Sequence, residues 1–245
     1  YYERKVKQSN KILLGIFLSL ILISELLAVP NFVQKISLQD DTDELRGINF
    51  KPDGTIMYVT RRITPAANSD AGRRGYINQY SLSTAFDIST ATLISTTQLT
   101  EPGETDATFS FLPHAIEFKP DGTRMFVGGK DDPATTGKIK QFTLTNPWDL
   151  SSGVSAAGLS ADLGGSEPNL RNAQFDDTGK ILYVGGNDTD QIHKYTLSTA
   201  WDILTLSTSF TSFQLVSGFS QMRGFIFVAG FTRLYVVDDT STTST

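Results

Sequence analysis

The chain of 245 residues contains no cysteine. Disulfides, a thiolate nucleophile and a Cys-ligated metal are therefore excluded. Histidine is nearly as scarce. His114 and His193 fall in different parts of the chain, which argues against an imidazole-built transition-metal centre. Acidic residues outnumber basic ones, 26 to 21, for a net charge of −5. No stripe of Lys and Arg interleaves with aromatics, so no nucleic-acid partner is expected. No Walker, Rossmann or Gly-x-Ser-x-Gly pattern stands in a suitable context, and Gly128-Gly129, Gly164-Gly165 and Gly185-Gly186 read as hairpin and loop glycines.

Long apolar runs are also missing, with one exception. Residues 12–24 form an uninterrupted run of 13, preceded by Arg4, Lys5, Lys7 and Lys11. The first eleven residues carry +3 and the remainder −8. A basic flank before an apolar segment keeps the N-terminus in the cytoplasm. Thirteen residues suit the core of a signal peptide. Counted through Glu25 to Val29 the run reaches 18, at the short end of a membrane span. Residues 1–30 are thus read as a hydrophobic helix that serves as a signal peptide or an uncleaved N-terminal membrane anchor. Either reading sends residues 31–245 out of the cytoplasm, to the periplasm, the cell surface or the medium.

What the chain has is a repeat. Residues 45–59 (LRGINFKPDGTIMYV), 113–127 (PHAIEFKPDGTRMFV), 170–184 (LRNAQFDDTGKILYV) and 222–236 (MRGFIFVAGFTRLYV) align without gaps. Phe50, Phe118, Phe175 and Phe227 share one position; Tyr58, Phe126, Tyr183 and Tyr235 share another. A second phrase recurs at 77–88 (INQYSLSTAFDI), 139–150 (IKQFTLTNPWDL) and 192–203 (IHKYTLSTAWDI). Pro-Asp-Gly or Asp-Thr-Gly between two apolar alternations marks a hairpin, because Pro presets φ and Gly accepts a positive one. Ile48 and Phe50 alternate with Gly47 and Asn49, a parity that suits a sheet packed on both faces. Asp87, Asp149 and Asp202 read as turn residues that accept backbone N–H groups.

Four short strands per unit at this spacing predict an all-β fold, a β-propeller of four-stranded blades. Blades fall near 45–100, 113–165 and 170–217, with a partial one at 222–245. About 3.5 to 4 blades are present, which reads as part of a larger ring of roughly six to eight. A closed four-bladed ring is the alternative. Residues 32–38 (FVQKISL) offer a strand that could complete a further blade.

The phrases FKPDGTRMFVGG and FKPDGTIMYVT resemble the repeats of the YVTN/lactonase-like β-propeller superfamily, over roughly residues 45–240. The resemblance implies the propeller fold. Members include sugar-lactone hydrolases as well as surface and binding proteins. The phrase LSTAWDI resembles repeats of marine bacterial and phage proteins.

The residue four before each shared Phe is Arg46, His114, Arg171 and Arg223. It opens the innermost strand, and those strand ends converge on the mouth of a central channel. Three Arg and one His around one opening would attract a carboxylate or phosphate. The alternative is that each Arg pairs with a nearby carboxylate such as Asp43, Glu44 or Glu167. Pro-His-Ala-Ile-Glu-Phe around His114 resembles openings of lactonase-like blades, yet Glu117 lies three residues on and so faces away from His114 on a strand. Asp-rich segments at 39–44, 130–132, 187–190 and 238–239 could take Ca²⁺, though no calcium-loop motif is matched, and no cofactor or metal is expected. Asn187-Asp188-Thr189 matches the glycosylation acceptor pattern. Arg61-Arg62 and Arg73-Arg74 read as solvated loop charges. The main expectation is an exported, non-catalytic binding or scaffold propeller whose loop faces meet a protein, glycan or surface. A lactonase-like hydrolase of an anionic sugar lactone, and a virion or appendage structural protein, are the alternatives.

Overall fold

A computed structural model describes residues 36–38, 43–63, 74–99, 110–132, 137–163, 167, 169–215, 221–228 and 230–239. The leader, residues 1–30, lies outside these, as does the hydrophobic helix expected there. Among the described residues no helix is long and apolar enough to cross a membrane. Of the stretch 32–38, residues 36–38 are described, form no strand, and bring Leu38 against the apolar cluster of the first sheet.

Among the described residues, fourteen strands form three four-stranded sheets and one two-stranded sheet. Blade I is β1 (Asp43–Phe50), β2 (Ile56–Ile63), β3 (Arg74–Leu82) and β4 (Ala91–Gln98). Blade II is β5 (Ser110–Phe118), β6 (Arg124–Asp132), β7 (Gly137–Asn146) and β8 (Asp149–Asp162). Blade III is β9 (Leu170–Phe175), β10 (Ile181–Gly186), β11 (Gln191–Leu197) and β12 (Leu206–Gln214). The half blade IV is β13 (Met222–Val228) and β14 (Arg233–Asp238). Every pairing is antiparallel between chain neighbours, so each blade is a meander. Arg61 and Arg62 lie within β2, and Arg74 opens β3, so these basics belong to the ladder and not to a loop.

Two turns recur, and each follows from its residues. In the first, Gly54, Gly122 and Gly179 sit at φ +72°, +73° and +68°. Each donates its N–H to the carbonyl three residues back, as in Gly122 N to Lys119 O at 2.8 Å. The Asp before the glycine in blades I and II accepts from the N–H of Thr55 and Thr123, each at 3.0 Å. In the second turn Phe86, Trp148 and Trp201 take positive φ themselves, at 60°, 65° and 59°. Their N–H groups bond back to the carbonyls of Gly54, Gly122 and Gly179 at 2.9, 3.0 and 2.8 Å. The ring then lies on the glycine, in the space a Cβ would fill. Asp87, Asp149 and Asp202 follow and accept from the N–H of Ser89, Ser151 and Leu204.

The shared aromatics make the joints between blades. Tyr58 of blade I meets Phe118 of blade II at 4.4 Å between ring centres. Phe126 meets Phe175 at 4.6 Å, and Tyr183 meets Phe227 at 4.5 Å. Each such pair is worth about 0.5–1.5 kcal/mol beyond its buried area. The three joints repeat one geometry, which is what equivalent places in successive radial sheets require. Buried glutamines add to them: Gln79 Oε1 accepts from Leu150 N at 2.7 Å, and Gln141 Oε1 from Ile203 N at 3.1 Å. On blade IV, Tyr235 and Val237 are 56% and 64% exposed.

Candidate functional site

In every inner strand the ladder carries one extra residue, and it is the candidate site residue. On β5 Pro113 faces Gly129 and Ala115 faces Gly128, which leaves His114 over. On β9 Asn172 faces Gly185 and Leu170 faces Gly186, which leaves Arg171. On β13 Arg223 is left between Met222 and Gly224. On β1 the surplus lies in Arg46-Gly47, opposite Thr60, whose Oγ1 accepts from Gly47 N at 2.6 Å. A β-bulge turns the extra side chain out of the regular alternation and aims it elsewhere. Here the four bulges aim four side chains into one cavity of about 310 Å³. Arg46, His114, Arg171 and Arg223 all line it, together with Asn172 and an apolar wall that includes Ile48 and Ile116. Ile48, expected to be packed by its parity, is 57% exposed because its face looks into this cavity.

The three arginines are not equivalent. Arg46 pairs with Glu44, and Glu44 also takes Arg62. Arg223 pairs with Asp239 at 2.7 Å and donates to Gln221 Oε1 at 2.8 Å. For these two the carboxylate-pairing alternative holds. Arg171 differs. Its Nε donates to Asn187 Oδ1 at 3.0 Å and one terminal nitrogen donates to His114 Nε2 at 2.9 Å. Both partners are neutral, and among the described residues no carboxylate lies within salt-bridge distance of Arg171. Glu167 serves other donors, Thr189 Oγ1 at 2.6 Å and Asp188 N at 3.3 Å. Burial and the positive charges of Arg46 and Arg223 pull Arg171 down to about 10. It stays protonated at neutral pH and under-compensated.

His114 is buried, and both its ring nitrogens are engaged. Nδ1 lies 2.7 Å from Leu170 O, an acceptor, so Nδ1 carries the proton. Nε2 is then the acceptor of the Arg171 guanidinium. Burial, reinforced by Arg171, pushes His114 down to about 3. It is thus a neutral ring with its lone pair already used. It orients Arg171 and is not poised as a base.

Glu117 is expected to face away from His114, yet both side chains reach β9 of the next blade, His114 at Leu170 O and Glu117 at Phe175 N, because the bulge at His114 breaks the strand's alternation. They are separated by their level along β5. Glu117 lines a second cavity, of about 510 Å³, with Gln174, Asp176, Asp177, Trp201 and Phe231. Sequence reasoning did not place Asn187, Arg62 or this cavity in a site with Arg171 or Arg46. Asn187 stood in a glycosylation pattern and in an Asp-rich segment, and its amide here holds Arg171. Among the described residues no three His, Asp or Glu side chains converge into a metal cage, the described Asp-rich segments included.

No family model matches the chain, and no curated protein matches it. Among solved structures, a periplasmic gluconolactonase, PpgL, of Pseudomonas aeruginosa is similar over 79% of this chain, at 14% identity and a TM-score of 0.47. A 6-phosphogluconolactonase-type protein of Bacteroides fragilis is similar over 80%, at 11% identity and 0.47. The β-propeller domain of Cps50 (Swd1) from Myceliophteria thermophila is similar over 80%, at 11% identity and 0.43. The chain spans 42%, 64% and 51% of these three. The blade assignment rests on the strand order and joints described above.

Proposed function

We propose that the propeller binds a small ligand carrying a carboxylate or phosphate at the Arg-lined mouth of its channel. One observation carries this reading: Arg171 projects from a bulge into the cavity, held by two neutral partners, with Arg46 and Arg223 beside it. A half-buried cation with no carboxylate in salt-bridge contact, offset only by Asp188 from further away, is costly. An anion arriving at the mouth would relieve that cost, and the planar guanidinium suits a bidentate grip. The cavity volume falls within the range of small-ligand sites. This is a binding role, and it needs no catalytic group. An address outside the cytoplasm is part of the reading and is supported by the basic-then-apolar leader.

Lactone hydrolysis is the second reading. Lactonase activity appears in the names of two of the similar structures, and a phosphorylated or acidic sugar lactone belongs to the ligand class above. Its chemistry would use the Arg171 N–H groups against the oxyanion formed when water adds to the lactone carbonyl. His114 would serve as a positioning residue, since its Nε2 is occupied.

Calorimetric titration with 6-phosphogluconate, gluconate and inorganic phosphate, with glucose as the neutral control, tests the first reading. The anions should bind and glucose should not. Arg171→Met should weaken anion binding by about 10–100-fold, the loss of one charge-assisted contact. Equal binding of glucose, or an unchanged affinity in Arg171→Met, ends the proposal. Assaying proton release from δ-gluconolactone and its 6-phosphate separates the readings. Binding without turnover leaves the first standing alone.

A further inference from the structure

The residue just before each shared Phe is Asn49, Glu117, Gln174 and Ile226. On the inner strands of blades I to III this side chain crosses to the next blade. Asn49 Nδ2 donates to Ile116 O at 3.0 Å. Gln174 makes a two-point clamp on Phe227: its Nε2 donates to Phe227 O at 3.1 Å, and its Oε1 accepts from Phe227 N at 2.8 Å. Glu117 stands in the same relation to Phe175. Its Oε2 accepts from Phe175 N at 2.9 Å. Glutamine and a protonated glutamic acid share one shape and one pattern, an acceptor oxygen beside a donor. A carboxylate lacks the donor.

We infer that Glu117 is held as a neutral carboxylic acid that reproduces between blades II and III the amide clamp of Gln174 between blades III and IV, and that its ionisation in alkaline solution loosens that joint. The surroundings agree. The charged groups on the elements packed around Glu117 are few. Lys119, on the same chain segment, pairs with Asp121 at 2.6 Å. Arg124 of β6 donates to Trp201 O at 2.6 Å. Asp176 and Asp177, after β9, are of like charge, and Asp176 is turned to Thr178, Lys180 N and Ile181 N. On the neighbouring blades Lys51 pairs with Asp53 at 2.7 Å. The residues that line the cavity with Glu117 include no Lys or Arg. Among the described residues nothing cationic holds the carboxylate, and burial pushes Glu117 up to about 8, opposed by the Phe175 N–H. The cavity gives the proton a way in and out.

The sign follows from linkage. The folded state keeps a proton that the unfolded chain releases near the ordinary carboxylate value, so stability falls as pH rises toward 8 and then levels off. Urea unfolding of the full chain and of Glu117→Gln, from pH 6 to pH 9, tests this. Gln cannot ionise, so the variant should be the more stable one, and its advantage in unfolding constant should widen by about 100-fold between pH 6 and pH 9. Titration of the Glu117 carboxyl carbon by ¹³C NMR in the unaltered protein should show its midpoint near or above 7. A constant gap between the two proteins across this range overturns the inference. So does a Glu117 resonance that titrates near 4.5, a readout that stands whether or not the variant folds.

Discussion

Replacing Gly122 by alanine should be far more damaging than making the same change at Gly230. Gly122 lies in the turn between β5 and β6 and Gly230 in the turn between β13 and β14, one residue before Phe231, which aligns with Gly122; the two glycines have similar φ, +73° and +63°. Forcing a side chain into that left-handed conformation costs about 1–2 kcal/mol at either site. Gly230 incurs no clash, since among the described residues no atom lies within 4 Å of a Cβ built there. At Gly122 the new Cβ falls inside the indole of Trp148. That indole cannot simply swing away. Its backbone N–H is bonded to Gly122 O, its ring packs on Phe118 at 5.0 Å, and its carbonyl accepts from Tyr58 across the blade joint. Overpacking a fixed site costs about 1–3 kcal/mol. Gly122→Ala should therefore lose about 2–5 kcal/mol in all, and Gly230→Ala about 1–2. In a domain of this size each kcal/mol moves Tm by about 2–4 °C. Urea and thermal melts followed by circular dichroism read both. The double change Gly122→Ala with Trp148→Ala should recover part of the clash, a positive coupling in the cycle. If Gly122→Ala melts like Gly230→Ala, the glycine is not there for the ring, and this account of the recurring Gly–aromatic pair is wrong.

Arg171→Met should raise the stability of the unliganded protein while it weakens anion binding by about 10–100-fold, because it removes a half-buried charge that only Asp188, beyond salt-bridge contact, offsets; a fall of more than about 1 kcal/mol in urea titrations contradicts the charge argument. His114 titrates near 6.5 when unfolded but is held at about 3 when folded. The unfolded state therefore takes up the extra proton between these values, and stability present above pH 6.5 drains as pH falls through that window. His114→Asn, which keeps a donor toward Leu170 O, should flatten this slope, and an unchanged acid slope in paired pH–urea series would show that His114 is not its source. Gln141→Ala should cost about 1–3 kcal/mol by stranding the buried Ile203 N–H; Thr196, exposed on β11, provides a control whose change to Ala should stay within about 0.5 kcal/mol.

Much of the architecture was legible because the fold repeats its own instructions. Alignment of the units to one another located the Phe and Tyr positions, and these became the interblade aromatic pairs Tyr58–Phe118, Phe126–Phe175 and Tyr183–Phe227. The strand runs were legible for the same reason, and blades I to III fall within the ranges 45–100, 113–165 and 170–217 expected of them apart from a few residues at their edges. Strand extent was less so. β5 and β6 continue beyond the apolar alternation, to Ser110 and Asp132, because backbone pairing persists where side-chain patterning has ceased. Arg61 and Arg62 were misjudged as loop charges by the same token, since a ladder can extend into a charged segment whose side chains find partners such as Glu44. The partners of the site residues were not legible at all. Nothing in the spacing of His114, Arg171 and Asn187 says that blades II and III bring them together. That contact is set by how sheets stack, and its residues are 57 and 16 apart in the chain.

The bulges explain why a site can sit on so regular a scaffold. Along an inner strand, most side chains are committed to one of two packed faces, and a change there is felt by a neighbouring blade. The bulged residue has no partner across the ladder, so neither face depends on it in the same way. Four bulges give four positions whose side chains line one cavity, while the joints made by Phe118, Phe175 and Phe227 stay the same. The identities found there divide by their partners. Arg46 and Arg223 bring their own carboxylates and set the field of the mouth. Arg171 brings only neutral ones, and His114 can support it only while its own ring remains uncharged. A protonated His114 would repel the guanidinium it orients, but in the folded protein that proton arrives only near pH 3, at the foot of the window from 6.5 downward in which stability drains. The urea midpoint should therefore begin to fall at a higher pH than anion affinity does, and an affinity that is lost first, at about pH 6, would mean that the fold does not hold His114 neutral.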